Sequence, residues 1–232
     1  MFDQAEILAQ TEAYVKEKLT GEGSGHDWWH IVRVRQNART LCVHEQVDGF
    51  VVELAALLHD IADHKFHDGD TSVGPRLARE WLTSLEVEDT IIHHITDIIA
   101  DLSFKGSRVS TPMRTREGMV VQDADRLDAI GAIGVARTFA YGGHKNRVMY
   151  DPTIPPVDHA SFEAYQKSSA PTINHFYEKL LLLKDRMNTT TARQMAEGRH
   201  AFMEQYLAQF FAEWEGERGS PGGAVFFPEA EN

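Results

Sequence analysis

The chain has 232 residues, of which 42% are hydrophobic, and a formal charge of −12, which suits one domain with a substantial core. The acidic balance argues against a broad surface for nucleic-acid polymers, whose phosphates attract basic proteins, but it leaves room for a small anionic substrate held by local cations or a metal. Cys42 is the only cysteine, which excludes an intramolecular disulfide and a thiolate zinc cluster and points to a reducing cytoplasm.

Nearly every periodic segment reads as helix. The opening stretch, about 3 to 19, places Ile7, Leu8, Val15 and Leu19 on roughly one side, and its early acidic residues are unlike a signal peptide. After "GEGSGHD", Asp27 is placed to cap a helix running from Trp28 to about Glu45. A third helix is expected over about 51 to 62, then a polar loop "HKFHDGD", then helices over about 74 to 85 and 88 to 102. A loop "SFKGSRVSTPMRT" leads into one long helix over about 116 to 141. Residues 142 to 170 read as a long irregular segment of the kind that shapes pockets, with His144, Lys145, Arg147 and Tyr150 as candidates for substrate choice. Two last helices are expected over about 172 to 187 and 190 to 215. No run of about 18 apolar residues marks a membrane span, and no alternating strand pattern is present. The expected fold is all-α, a single helical domain over residues 1–216 with a flexible tail over 217–232.

Four side chains stand out within these helices. His30 opens its helix, His59 and Asp60 close the apolar run "LAALLHDIAD", and Asp125 sits in "VVQDADRLDAIGAIG". A carboxylate on an apolar helix stripe is expensive unless paired or coordinated. Two imidazoles and two carboxylates meeting at one point suit a divalent metal such as manganese, iron, nickel, cobalt or zinc, with magnesium less natural beside two imidazoles. The dipeptide His-Asp alone carries no weight, since it recurs at 26–27 and 67–68. The spaced combination carries the argument. Asp123 is a rival to Asp125. Gly131 and Gly134 lack the strand and spacing of a phosphate loop and read as sites of close helix packing. The stripe Phe202, Tyr206, Phe210 and Trp214 reads as core or as a dimer surface.

The pattern of His30, His59-Asp60 and Asp125 resembles the HD-domain superfamily of metal-dependent phosphohydrolases. "HDWWHIVRV", "LAALLHDIAD", "QDADRLDAIGAIGVAR" and "HFYEKLLLLKDRMNTTTARQMAEGRHAFM" are similar to a bacterial branch whose characterised members are nucleotide pyrophosphohydrolases. The resemblance implies one divalent ion, with manganese favoured, held by His30, His59, Asp60 and Asp125. It implies a nucleotide substrate, most simply a nucleoside triphosphate cleaved to monophosphate and pyrophosphate. Asp63 is the candidate general base, three residues after Asp60 and so on its side of a continuing helix. Lys65 is the first candidate for gripping phosphate, followed by Arg33, Arg126 and Arg137, with His94 as a substrate-facing or second-ion residue. The rival readings are a nucleotide monophosphatase and, from another class, a non-catalytic helical metal-binding module; a homodimer is compatible with either.

Overall fold

The computed structural model describes residues 3–20, 27–62, 70, 72–102, 111–157 and 169–216. Among these the helices are α1 (Gln4–Leu19), α2 (Trp28–Cys42), α3 (Gly49–Leu58), α4 (Val73–Ser84), α5 (Asp89–Asp101), α6 (Arg116–Asp128), α7 (Gly131–His144), α8 (Asn174–Glu178) and α9 (Thr190–Trp214). The described residues contain no strand, so the fold is all-α as expected. No described helix is long and apolar enough to cross a membrane.

The most apolar helix organises the others. Leu54, Ala55, Ala56, Leu57 and Leu58 of α3 are all fully buried. A helix that is apolar all round must be covered on every side. Helices α1, α2, α5 and α6 surround α3, α4 covers α5, and α9 packs along α7 and the flank of α6. Side-chain caps set the helix starts. Asp27 accepts the His30 amide at 2.9 Å, Asp48 accepts the Phe50 amide, and Thr115 accepts the Gly118 amide. Polar ties hold the outer helices. Arg35 joins Glu12 on α1 to Glu53 on α3 at 2.6 and 2.8 Å, and the Trp81 indole donates to Thr11 at 3.0 Å.

The expected long helix over 116 to 141 is two helices. The apolar pattern runs straight through, but Ile130 is extended (φ −121°, ψ 167°) and Gly131 has φ +76°. Both glycines serve this chain reversal. A Cβ on Gly131 would come within 3.0 Å of Arg199 on α9, in a left-handed conformation that disfavours one anyway. A Cβ on Gly134 would stand 2.2 Å from the Ala129 carbonyl oxygen. Gly134 therefore makes room for the preceding turn, whereas close packing against another helix is confined to Gly131.

The expected helix over 172 to 187 is α8 followed by 3-10 turns at Leu180–Leu182 and Lys184–Arg186. Leu180 and Leu183 are both buried, and their spacing of three matches the tighter turn. Helix α7 continues to His144, into the segment expected to be irregular. Beyond it, Lys145 and Arg147 each lie 5.8 Å from the centre of the Tyr141 ring, and Tyr150 docks edge-on against Phe211 and Trp214. In the aromatic stripe, Tyr206 stacks on Phe176 and Phe210 packs beside it, while Phe202 and Trp214 at the ends are exposed. The tail expected over 217–232 lies outside the described residues.

Gly131→Ala is expected to lower stability by about 1–2 kcal/mol, the cost of forcing an L residue into a left-handed conformation, and Gly134→Ala by more. Thermal unfolding followed by circular dichroism checks both, and a Gly134→Ala protein as stable as the parent would contradict the turn described.

Candidate metal centre

Three helix ends meet beside the buried core. His30 lies in the first turn of α2, fixed by the Asp27 cap. His59 is the residue on which α3 stops, and Asp60 follows it in the turn. Asp125 and Asp128 lie in the last turn of α6, just before the reversal at Gly131. Helix α2 packs on both α3 and α6, so the first turn of one helix faces the last turns of two others.

The functional atoms converge tightly. His30 Nε2 is 3.3 Å from His59 Nε2, 3.3 Å from Asp60 Oδ2 and 3.5 Å from Asp125 Oδ1. His59 Nε2 is 3.7 Å from Asp60 Oδ2 and 3.9 Å from Asp125 Oδ1. Ligands bound at about 2.1 Å to one ion sit roughly 3.0–3.4 Å apart when adjacent and about 4.2 Å apart when opposite. The observed separations fall in that interval; His30, His59 and Asp60 form a group that fits a single cation, and Asp125 stands beside it, 3.5 Å from His30 Nε2. Two carboxylates also match a charge of 2+.

The far edge of each ring is engaged as well. His59 Nδ1 lies 2.9 Å from the Ala56 carbonyl, to which it donates. His30 Nδ1 lies 2.7 Å from Asp128 Oδ2. Burial pulls the His30 imidazole down, yet its hydrogen bonds with Asp128 and Asp60 leave it above its ordinary value. Burial pushes Asp128 up, but His30 and Arg33 hydrogen bonds, with the Arg137 charge behind them, hold it well below the usual carboxylate range.

The other sequence candidates are distributed as follows. Asp123, the rival to Asp125, is fully buried and accepts the Asn188 amide, the Asn188 side chain and the Thr189 amide at 2.8–2.9 Å. Its oxygens are engaged at the start of α9, which it anchors. Arg33 donates through Nε to Asp128 at 2.6 Å and Arg137 donates to the same carboxylate at 2.9 Å. Arg126 is buried and donates to the Arg186 carbonyl and to Thr111, so it ties the chain before α6 to a 3-10 turn. His94 meets Thr115 at 2.9 Å and Glu117 at 3.7 Å, at the opening of α6. Glu117 precedes Asp125 by eight residues on α6, or roughly 12 Å along the axis, which places His94 at the other end of that helix from the cluster. His93 is exposed beside Arg79. Helix α3 ends at Leu58, and residues 59–62 form turns, so the helix expected to carry Asp63 alongside Asp60 does not continue. Asp63 and Lys65 themselves lie outside the described residues. Sequence reasoning missed Asp128; its signal was the spacing of three from Asp125 on one helix face.

A helical bundle that gathers His, His-Asp and Asp at one point is the arrangement of the HD domain, and the HD-domain family model matches residues 28–130, which include all four side chains. The chain belongs to the HD-domain superfamily of metal-dependent phosphohydrolases, a membership that implies a divalent metal. It is similar to YpgQ of Bacillus subtilis, with 40% identity over 86% of this chain and 90% of that one. Among solved structures, a Lactobacillus plantarum protein aligns with a TM-score of 0.83 at 38% identity, over 94% of this chain and all of that one. An HD-superfamily hydrolase from Bacillus thuringiensis aligns with a TM-score of 0.71 at 46% identity, over 93% of this chain and all of that one.

The parent protein is expected to hold about one divalent ion per chain, and His59→Ala and Asp125→Asn are each expected to abolish its stable binding. Metal analysis after manganese loading and desalting checks this. In the parent, manganese at about 100 times its dissociation constant should add about 2.7 kcal/mol of stability, a gain that both variants should lack.

Proposed function

We propose that the protein is a manganese-dependent nucleotide hydrolase that cleaves nucleoside triphosphates to monophosphate and pyrophosphate. The observation that carries this reading is the cluster of His30, His59 and Asp60 at the meeting of three helix ends, with an Asp125 oxygen 3.5 Å and 3.9 Å from the two imidazole nitrogens. The nucleotide part is supported by YpgQ, which has been solved in complex with ADP and aligns with a TM-score of 0.71 over 90% of this chain and 96% of that one. Release of pyrophosphate in preference to phosphate rests on the resemblance of the motif stretches to the pyrophosphohydrolase branch. Manganese is favoured because it accepts mixed imidazole and carboxylate ligation.

In this reading His30, His59, Asp60 and Asp125 hold the ion. When bound, it acidifies water and neutralises charge on the phosphates. Asp63 takes or steers the proton of the attacking water. Lys65 binds the phosphates that the ion leaves uncompensated. Arg33, whose side chain is one-third exposed while bonded to Asp128, is the second cation for that task.

Product analysis tests the proposal. Purified protein with manganese and a panel of nucleoside triphosphates should release monophosphate and pyrophosphate in equal amounts. Inorganic phosphate from monophosphates would favour the monophosphatase reading, and no release from any nucleotide by metal-loaded protein would refute a hydrolytic role. Asp63→Asn should lower kcat by about 10²–10⁴-fold with manganese content unchanged.

A further inference from the structure

We propose that Asp128 is a positioning residue for the metal centre: it holds the proton of His30 on Nδ1, so that Nε2 is presented as the ligand atom, and Arg33 and Arg137 hold Asp128 in place. The inference rests on the metal-dependent reading of the site but not on the identity of the substrate.

The geometry is specific. His30 is fully buried, with Nδ1 at 2.7 Å from Asp128 Oδ2 and Nε2 turned to His59, Asp60 and Asp125. An ionised carboxylate is an acceptor only, so a contact this short places the ring proton on Nδ1. Asp128 is itself buried, and a buried carboxylate needs donors on every side. Arg33 on α2 supplies two, Nε to Oδ1 at 2.6 Å and Nη2 to Oδ2 at 3.1 Å. Arg137 on α7 supplies Nη1 to Oδ2 at 2.9 Å. Oδ2 thus accepts from three groups and Oδ1 from one. The carboxylate cannot rotate away from His30 without breaking the side-on Arg33 pair.

The two histidines are fixed by different devices. His59 donates to the main-chain carbonyl of Ala56, which no substitution of a side chain removes. His30 depends on a side chain. Asp128 can therefore be altered while His59 serves as an internal standard.

The same geometry dictates how variants differ. In Asp128→Asn, the amide oxygen placed at the Oδ2 position still accepts from His30, Arg137 and Arg33, and only the Oδ1 contact is lost. Asp128→Ala removes the carboxylate acceptor altogether. Arg137→Met removes a support of the carboxylate but leaves the carboxylate on His30.

The test is read by nitrogen-15 NMR of the imidazoles in metal-free protein, together with manganese affinity by titration calorimetry. The parent should show Nδ1-protonated His30 and His59. Asp128→Ala should lose the fixed tautomer at His30 but not at His59, and bind manganese about 10–100-fold more weakly, the usual effect of removing a group that orients a ligand. Asp128→Asn should keep the tautomer and recover most of the affinity. Arg137→Met should lower thermal stability and keep the tautomer. The proposal is overturned if Asp128→Ala binds manganese like the parent, or if Asp128→Asn behaves like Asp128→Ala, since charge and not hydrogen bonding would then govern the site. Should Asp128→Ala fail to fold, the parent spectrum still decides: a neutral His30 ring in the metal-free protein with its proton on Nε2 and none on Nδ1 refutes it. Because the tautomer is read without metal or nucleotide, a negative hydrolysis assay alongside these results would discredit the proposed substrate and leave this inference standing.

Discussion

Two imidazole nitrogens 3.3 Å apart, with two carboxylate oxygens within 3.5 Å of one of them, form at the edge of the core a concentration of electron pairs that favours something positive among them. That requirement constrains much of the surrounding architecture. Each donor comes from a helix terminus, where the chain can bring a short side chain close to its neighbours without interrupting a buried helix face. The apolar α3 sits at the centre because it delivers His59 and Asp60 from below, and it can only do so by being covered on all sides. The last turn of α6 delivers Asp125 on one side of His30 and Asp128 on the other.

Seen from the cluster outward, charge alternates. Asp60 and Asp125 surround the ligand position, His30 and His59 separate them, Asp128 lies behind His30, and Arg33 and Arg137 lie behind Asp128. Each layer offsets the one inside it, which is how ionisable groups persist in a weakly polar interior. Of the arginines that a reading of the sequence offers to a phosphate, Arg126 and Arg137 are in this way drawn inward, while Arg33 keeps one-third of its side chain exposed. Arg33 and Arg137 serve a carboxylate, and Arg126 serves a main-chain carbonyl and a hydroxyl.

The fold class and the four converging side chains were legible in the sequence because each is carried by a local pattern: apolar periodicity for the helices, and polar residues placed at the ends of apolar runs for the site. Asp27 was legible as a cap for the same reason, since its neighbours reveal the helix that needs it. What escaped depends on groups distant in the chain. Nothing beside Asp123 announces that its partners are Asn188 and Thr189, 65 residues away or more. The break at Gly131 was hidden because the apolar pattern crosses it unbroken, and the 3-10 turns after α8 were hidden because a leucine run satisfies a period of three as well as one of 3.6. Asp128 was passed over because its neighbour Asp125 already matched the expected motif, and its role depends on a ring 98 residues away.

The reversal at Ile130 and Gly131 has a further consequence for how this stretch can vary. It folds α7 back so that Arg137 reaches Asp128, its neighbour nine positions earlier. Were the helix to run straight, those two residues would be about 13 Å apart along the axis. The connection is therefore a measured span. Inserting or deleting one residue between them would swing the guanidinium by about 100° around α7 and strand it, so between 128 and 137 the length of the connection is as constrained as the identity of Gly131 and Gly134.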